Sequence, residues 1–312
     1  MNELYLHLLQ AVALKDMTEA RLIAAQLCHD APHDIPQDFL AWLGPHLAEP
    51  QSPSDSPYQL PPELERLLIF EDVSKTFVPE RYWVSEREKK VLEDIISQND
   101  ACHLLEAAKI PFLNATLLWG QSGTGKSQFG RYLAYTMGKP FVYVNLCNMV
   151  GASLGETGRN LRSIFDFVEG IPCVFMLDEL DAIAVNRGSI ATGGSGDEMT
   201  RTTIGLMQNL DQLSSDVVLL AATNRPELID DAVKRRFPIR HEVQVLSPDE
   251  LLQMSEHFLA DVRAHADFHV EYDRGELVRY CGSGVKQSEV IDTLVESLAQ
   301  AVEKDAAMIF PD

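Results

Sequence analysis

Gly120, Gln121, Ser122, Gly123, Thr124, Gly125, Lys126 and Ser127 run consecutively between the apolar stretch TLLW and the helix-like stretch SQFGRYLAYTMG. Chemistry on a polyphosphate needs this combination. Glycines let successive backbone N–H groups turn inward around phosphate oxygens, and the start of a helix adds positive dipole. Lys126 brings a full charge to face the β and γ phosphates, and the Ser127 hydroxyl can join the shell of a Mg²⁺ ion. Further along, the apolar run CVFML ends in Asp178 and Glu179. At the tip of a strand, Asp178 can hold Mg²⁺ through water, and Glu179 can polarise an attacking water as general base. A glycine-rich turn with an incidental lysine would be the bland reading of the first cluster, and a solvated strand end that of the second. The strand before, the helix after and the pairing of the two clusters argue against both.

Positioning these groups requires strands that end together. Short apolar stretches at Thr116–Trp119, Phe141–Val144, Cys173–Leu177 and Val217–Ala221 alternate with helical ones. Such alternation predicts an α/β fold, a parallel sheet sandwiched between helices. Leu161, Ile164, Phe165 and Val168 form a helix stripe for burial on that sheet. From Pro248 onward the pattern is helical only, over Glu250–His265, Gly275–Cys281 and Ser288–Lys304, which reads as a small all-helical lid. Upstream, Leu4, Leu8, Leu9 and Val12 make one helical stripe, and Ala20, Ile23, Ala24 and Leu27 a second, with Thr18 as its N-cap. A third short helix is expected over Gln37–Leu47. So short a piece makes a marginal core alone, so it should pack on a neighbour or serve as a docking module. Glu49–Pro62, rich in Pro and Ser, reads as an extended linker. The expected divisions are a helical N-terminal module over 1–48, a linker over 49–62, an α/β domain over 63–246 and a lid over 247–312.

The chain has 312 residues and a net charge of −21, from 26 Lys and Arg against 47 Asp and Glu. So acidic a surface is repelled by phosphate backbones, which argues against general nucleic-acid binding. Cys28, Cys102, Cys147, Cys173 and Cys281 are scattered without paired spacing and read as reduced core residues. The N-terminus MNELYLHLLQ lacks the basic stretch of a signal peptide, and no run approaches the roughly 18 apolar residues of a membrane span. A soluble, cytoplasmic protein without a membrane partner is expected. His265 and His269 lack the third ligand that zinc requires, and Ser189 and Ser195 lack a nucleophile-elbow context.

Four motifs in order carry a resemblance. The phosphate-binding loop (P-loop) is the first. Leu177-Asp-Glu-Leu-Asp-Ala-Ile-Ala184, with Arg187-Gly188 beyond, is similar to the second acidic motif of the AAA family proper, the branch holding proteasomal ATPases, membrane-bound AAA proteases and disassembly chaperones. Ala222-Thr-Asn-Arg-Pro226 resembles the segment whose Asn senses the γ-phosphate. Ile229-Asp-Asp-Ala232 and Lys234-Arg-Arg-Phe237 resemble the second region of homology. The likeness runs from about Lys75 to Lys304. It implies ATP as substrate with Mg²⁺, held by Ser127 and Asp178, and hydrolysis through Glu179. Asn224 would orient the lytic water, and Arg235 and Arg236 would act as arginine fingers in the next subunit. A finger given in trans completes the active site only in an oligomer, by resemblance a homo-hexameric ring.

Three departures from the family pattern matter. Gln121 and Ser122 stand where prolines are usual. Ser153, in Met149-Val-Gly-Ala-Ser-Leu154-Gly-Glu-Thr157, stands where threading members carry an aromatic that grips substrate. Gln287-Ser288-Glu289 replaces the family's Gly-Ala-Asp in the lid. By position, the flexible stretch Thr192–Gly196 would be a second pore loop, or else a surface loop. The expected function is a ring ATPase that remodels or regulates a partner protein recruited through residues 1–48. One alternative is a nucleotide-gated scaffold controlling a partner enzyme such as a peptidase without threading. A DNA-associated loader is the third reading, and the charge speaks against it.

Overall fold

The computed structural model describes residues 60–110, 112–149, 155–184, 194–266, 268–304 and 307–311. The expected N-terminal helices, most of the linker, Arg187-Gly188, Ser153 and Leu154 lie outside the described residues.

Strand β1 (Ile69–Glu71) leads to the short helix α1 (Val73–Thr76), a 3₁₀ turn at Pro79–Arg81 and the long helix α2 (Glu86–Ala107). There follow β2 (Ala115–Trp119), α3 (Lys126–Met137), β3 (Phe141–Asn145), α4 (Glu156–Glu169) and β4 (Val174–Asp178). Then come α5 (Gly194–Leu210), β5 (Val218–Thr223), α6 (Asp231–Lys234) and β6 (Ile239–Glu242). Helices α7 (Pro248–His265), α8 (Arg274–Cys281) and α9 (Gln287–Lys304) complete the described chain.

The six strands lie in the order β1-β3-β4-β5-β2-β6. Four neighbouring pairs are parallel, with Leu117 opposite Ala221 and Val144 opposite Leu177, while β1 runs antiparallel to β3. The sheet is thus mixed rather than wholly parallel. Neither edge strand was expected from the sequence, for a physical reason. Three residues in β1 and the half-exposed Ile-Arg-His-Glu of β6 carry too little apolar alternation to register. The four central strands are buried on both faces and read as continuous apolar runs.

Helix α3 lays Phe129, Leu133 and Ala134 on Leu118, Phe141, Met176 and Leu220 of the sheet. Helix α4 buries the expected stripe of Leu161, Ile164, Phe165 and Val168, and Phe165 meets Phe175 edge-on at 5.3 Å. Helix α5 begins at Gly194, so the second half of the expected flexible loop is helical. Glycine's poor helix propensity made that stretch read as loop, and the burial of Leu206 and Leu210 further along the helix overrides it.

The three C-terminal helices hold a core of their own around Leu251, Leu259, Leu277, Val290 and Leu294. Helix α7 starts on Ser247, whose hydroxyl accepts the Glu250 amide while the Glu250 carboxylate accepts the Ser247 amide, with Pro248 in the first turn. Two arginines ahead of the sheet's central strand clasp this helix. Arg81 reaches the buried Asp261 at 2.8 Å, and Arg87 reaches Glu250 at 2.9 Å.

Candidate active site

Strands β2, β4 and β5 are adjacent and parallel, so their C-terminal ends open on one edge of the sheet. In open α/β sheets ligands bind at that edge. Here β2 delivers Gly120, β4 delivers Asp178 and Glu179, and β5 delivers Thr223 and Asn224.

The loop after β2 is shaped by two close approaches. Gly120 has φ 152°, and a Cβ there would lie 2.2 Å from the Val243 carbonyl oxygen. Gly123 has φ 84°, and a Cβ there would lie 2.4 Å from Ser288 Oγ at the start of α9. Only glycine fits either place. The Ser288 amide also donates to the Gly123 carbonyl at 3.1 Å, which ties the lid to the loop. Gln121 and Ser122 are exposed, and the buried Thr124 donates to the Gln121 carbonyl at 2.9 Å. Gly125, left-handed at φ 88°, turns the chain into the twelve residues of α3.

Lys126 is the first residue of that helix and is only 8% exposed. Its ammonium donates to the Gly120 carbonyl at 2.8 Å, the Gln121 carbonyl at 2.9 Å and Asn224 Oδ1 at 2.7 Å. All three acceptors are neutral. Burial pulls the lysine's pKa down, and Asp178 and Asp181 oppose that through space. A buried ammonium without a direct anionic partner is costly, and a polyphosphate would supply the missing charge.

Ser127 Oγ donates to Asp178 Oδ2 at 3.1 Å, and the Tyr143 phenol donates to the same oxygen at 2.9 Å. The Glu179 amide donates to Asp178 Oδ1 at 2.8 Å. Hydroxyl and carboxylate oxygens side by side are the hard donors that Mg²⁺ prefers. The buried cation, the glycine cradle at a helix N-terminus and this oxygen pair fit a magnesium–nucleoside triphosphate.

Glu179 itself sits in the left-handed region at φ 56°, a conformation costing a non-glycine residue roughly 1–2 kcal/mol. Strain kept at such a place points to function. Cys102, Cys173 and Cys281 are buried as expected of core residues, but Cys147 is exposed. Interaction with the Glu179 carboxylate, followed by burial, pushes the pKa of the exposed Cys147 thiol up to about 11. Asp181 accepts from Thr223 Oγ1 at 2.6 Å, and Thr223 Oγ1 accepts the Arg225 amide at 3.0 Å. This brace fixes the turn that carries Asn224. Asp181, Tyr143, Cys147 and Thr223 gave no chemical signal in the sequence, because hydroxyls and lone acids acquire meaning only from what folding brings beside them.

Residues 122–127 of the loop, Asp178, Glu179 and Asn224 all line one cleft of about 520 Å³. The same cleft is also lined by Trp83, His241, Leu246, Met254, Phe258 and Ile291, mostly apolar residues drawn from the sheet side and the lid. Burial lowers the pKa of His241 and favours its neutral form. Gln287 joins this wall. Its amide nitrogen donates to the Gln244 carbonyl at 2.9 Å, and its buried Oε1 has no partner among the described residues.

Arg235 and Arg236 lie apart from the cleft lining. Arg236 grips Asp211 with two bonds of 2.7 Å and donates to the Ala232 carbonyl at 2.8 Å. Arg235 is exposed, and its side chain has no hydrogen-bond or ion-pair partner among the described residues.

Residues 116–245 match the model of the ATPase family associated with various cellular activities (AAA). The chain is 35% identical over 150 residues to the proteasome-activating nucleotidase of Methanococcus maripaludis, covering 47% of this chain and 37% of that protein. It is 32% identical over 186 residues to the ATP-dependent zinc metalloprotease FtsH of Mycobacterium leprae, covering 58% of this chain and 23% of that protein. The chain thus spans between about a quarter and somewhat over a third of the length of these curated relatives. With the glycine cradle, the buried lysine and the paired acids all inside the matched segment, residues 116–245 form an ATPase domain of the AAA family.

Proposed function

We propose that this protein hydrolyses ATP with Mg²⁺ and that rings of its own copies use the cycle to remodel or regulate a partner protein. One observation carries the ATPase reading: strand ends and a helix start gather Lys126, Ser127, Asp178, Glu179 and Asn224 on a single cleft. In this reading Lys126 and the loop amides from Gly120 to Ser127 hold the phosphates. Ser127 and Asp178 hold the metal, which screens the phosphate charge when bound. Glu179 takes the proton of the attacking water, and Asn224, tied to Lys126, orients that water against the terminal phosphate.

Arg235 supports a trans site, since it is exposed and lies outside its own chain's cleft. Arg236 would have to leave Asp211 to share the finger role, so Arg235 is the stronger finger of the two. ATPase rate measured against protein concentration tests this reading. A specific rate that falls on dilution, together with a Glu179→Gln variant that binds ATP without turning it over, supports it. Full turnover by a demonstrated monomer overturns the trans site.

Ser153 favours a second reading for the partner: the ring changes shape against a docked protein instead of threading it. Burying an aromatic side chain is worth roughly 1.5–3 kcal/mol, and a serine contributes almost none of that grip. The partner would dock on residues 1–48, in the cytoplasm. Among the described residues no helix is long and apolar enough to cross a membrane. Global unfolding of a fluorescent substrate by the wild-type ring, stopped by Leu154→Ala, would show threading after all.

A further inference from the structure

Asp178 stands at the tip of β4, and its carboxylate takes three hydrogen bonds. One oxygen, Oδ1, accepts the Glu179 amide at 2.8 Å. The other, Oδ2, accepts both Ser127 Oγ at 3.1 Å and the Tyr143 phenol at 2.9 Å. Tyr143 comes from the neighbouring strand β3, where its backbone pairs with Met176 of β4 on one side and Ile69 of β1 on the other. The two strand ends are in register through Asn145 and Asp178, so the phenol reaches the carboxylate from along its own strand. Nothing in the ATPase reading so far uses Tyr143.

We propose that Tyr143 is a positioning residue for the metal-binding carboxylate: its phenol fixes Asp178 in the orientation that meets Mg²⁺ beside Ser127. The inference rests on the ATPase reading above. The final torsion of an aspartate is broad, so partners must set the plane of its carboxylate. The Glu179 amide holds one oxygen, and a single anchor leaves rotation about it. Ser127 holds the second oxygen only while its hydroxyl proton points there, and that hydroxyl is the group that must also turn a lone pair to the metal. Tyr143 has no such second duty. Its ring packs partly buried against the core, with the Phe141 ring 6.2 Å away, so the hydroxyl has a fixed base that does not depend on Ser127. A carboxylate held by two independent donors costs less ordering when the ion arrives, and the gain belongs to the metal-bound state alone.

Tyr143→Phe removes the hydroxyl and keeps the ring. The readout is binding of a fluorescent ATP analogue, titrated with Mg²⁺ and repeated in EDTA. The expected result is unchanged affinity in EDTA, with the Mg²⁺ concentration for half-maximal tight binding raised about tenfold or more. In an Asp178→Ala background the same substitution should change nothing further, since the carboxylate it positions is gone. A Tyr143→Phe protein with the parental Mg²⁺ dependence overturns the proposal, as does an effect that persists in the Asp178→Ala background. Thermal melting closes the remaining gap: loss of cooperative unfolding, or weaker binding equally with and without Mg²⁺, assigns Tyr143 to the fold and also overturns it. The parental chain reports separately on the reading beneath. If it binds no nucleotide, or binds it without regard to Mg²⁺, the ATPase reading falls and this inference falls with it.

Discussion

At the scale of single residues, charge and strain divide the labour between Lys126 and Glu179. Lys126 is buried against three neutral oxygens, which leaves its charge unmatched, as the proposed phosphate site requires. Lys126→Ala should therefore abolish nucleotide binding in a filter or fluorescence assay. Glu179→Gln keeps that cradle and loses the base, so binding should persist while turnover drops about 10²- to 10⁴-fold. Turnover at the parental rate would show that Glu179 is not the base. Cys147 offers an independent probe of the same carboxylate. With its thiol pushed up to about 11 by Glu179 and burial, it stays protonated at neutral pH despite being exposed. Alkylation by iodoacetamide should be slow at pH 8 and should rise steadily toward pH 11, because the thiolate is the nucleophile. Glu179→Gln removes the charge that raises this pKa, so labelling at pH 8 should speed up. Equal rates in the two proteins would place the thiol away from Glu179.

Among the elements, the lid is fastened to the ATPase sheet at several small points. Helix α7 is held by Arg81 on Asp261 and Arg87 on Glu250, and α9 by Ser288 on Gly123 and Gln287 on Gln244. Glu250 has its pKa lowered chiefly by the Ser247 amide, and Asp261 chiefly by Arg81. Carboxylates lowered in the folded state contribute stability that is full above their unfolded pKa and is lost as pH falls through the folded one. Acid below the ordinary carboxylate range should thus loosen the lid before the sheet unfolds. Limited proteolysis between β6 and α7 would detect it, and uniform protection down to global unfolding would contradict it. Gly123→Ala tests the other fastening. The new methyl would strike Ser288 Oγ at a backbone angle that L residues avoid, so nucleotide affinity should fall at least tenfold with little loss of the sheet's stability.

For the whole molecule, the proposed trans site requires a second copy to supply what one chain lacks. The exposed Arg235 side chain has no partner among the described residues and does not line the cleft of its own chain. Arg235→Ala should keep nucleotide affinity and cut turnover by about 10³-fold or more. Mixing Arg235→Ala chains with Glu179→Gln chains should restore part of the activity, because some interfaces then hold both intact groups. Mixtures as dead as their components would rule out completion of the site between subunits. Deleting residues 1–48 should remove partner capture and leave ATPase activity, measured on the same preparation. Activity lost with the deletion would place that segment in the ring itself.

Much of this protein could be read along the chain because its strongest signals are local. A glycine loop with Lys126 and Ser127, an apolar strand ending in Asp178 and Glu179, and three lid helices within a residue or two of their expected bounds each lie within one short window. Periodicity and spacing act over such windows, so sequence alone determined the four central strands, the three C-terminal helices and the glycine loop that carries Lys126 and Ser127. Tertiary structure decided what depends on neighbours distant in the chain. The antiparallel edge strand β1 exists only because β3 offers it unpaired backbone, and the glycine-rich start of α5 is helical only in the packed protein. The brace of Asp181 on Thr223, the thiol on Glu179 and the phenol on Asp178 join residues on different elements. A hydroxyl or thiol carries no sign of its role until folding removes water and leaves one partner within reach, and for that reason these contacts were invisible before the fold was known.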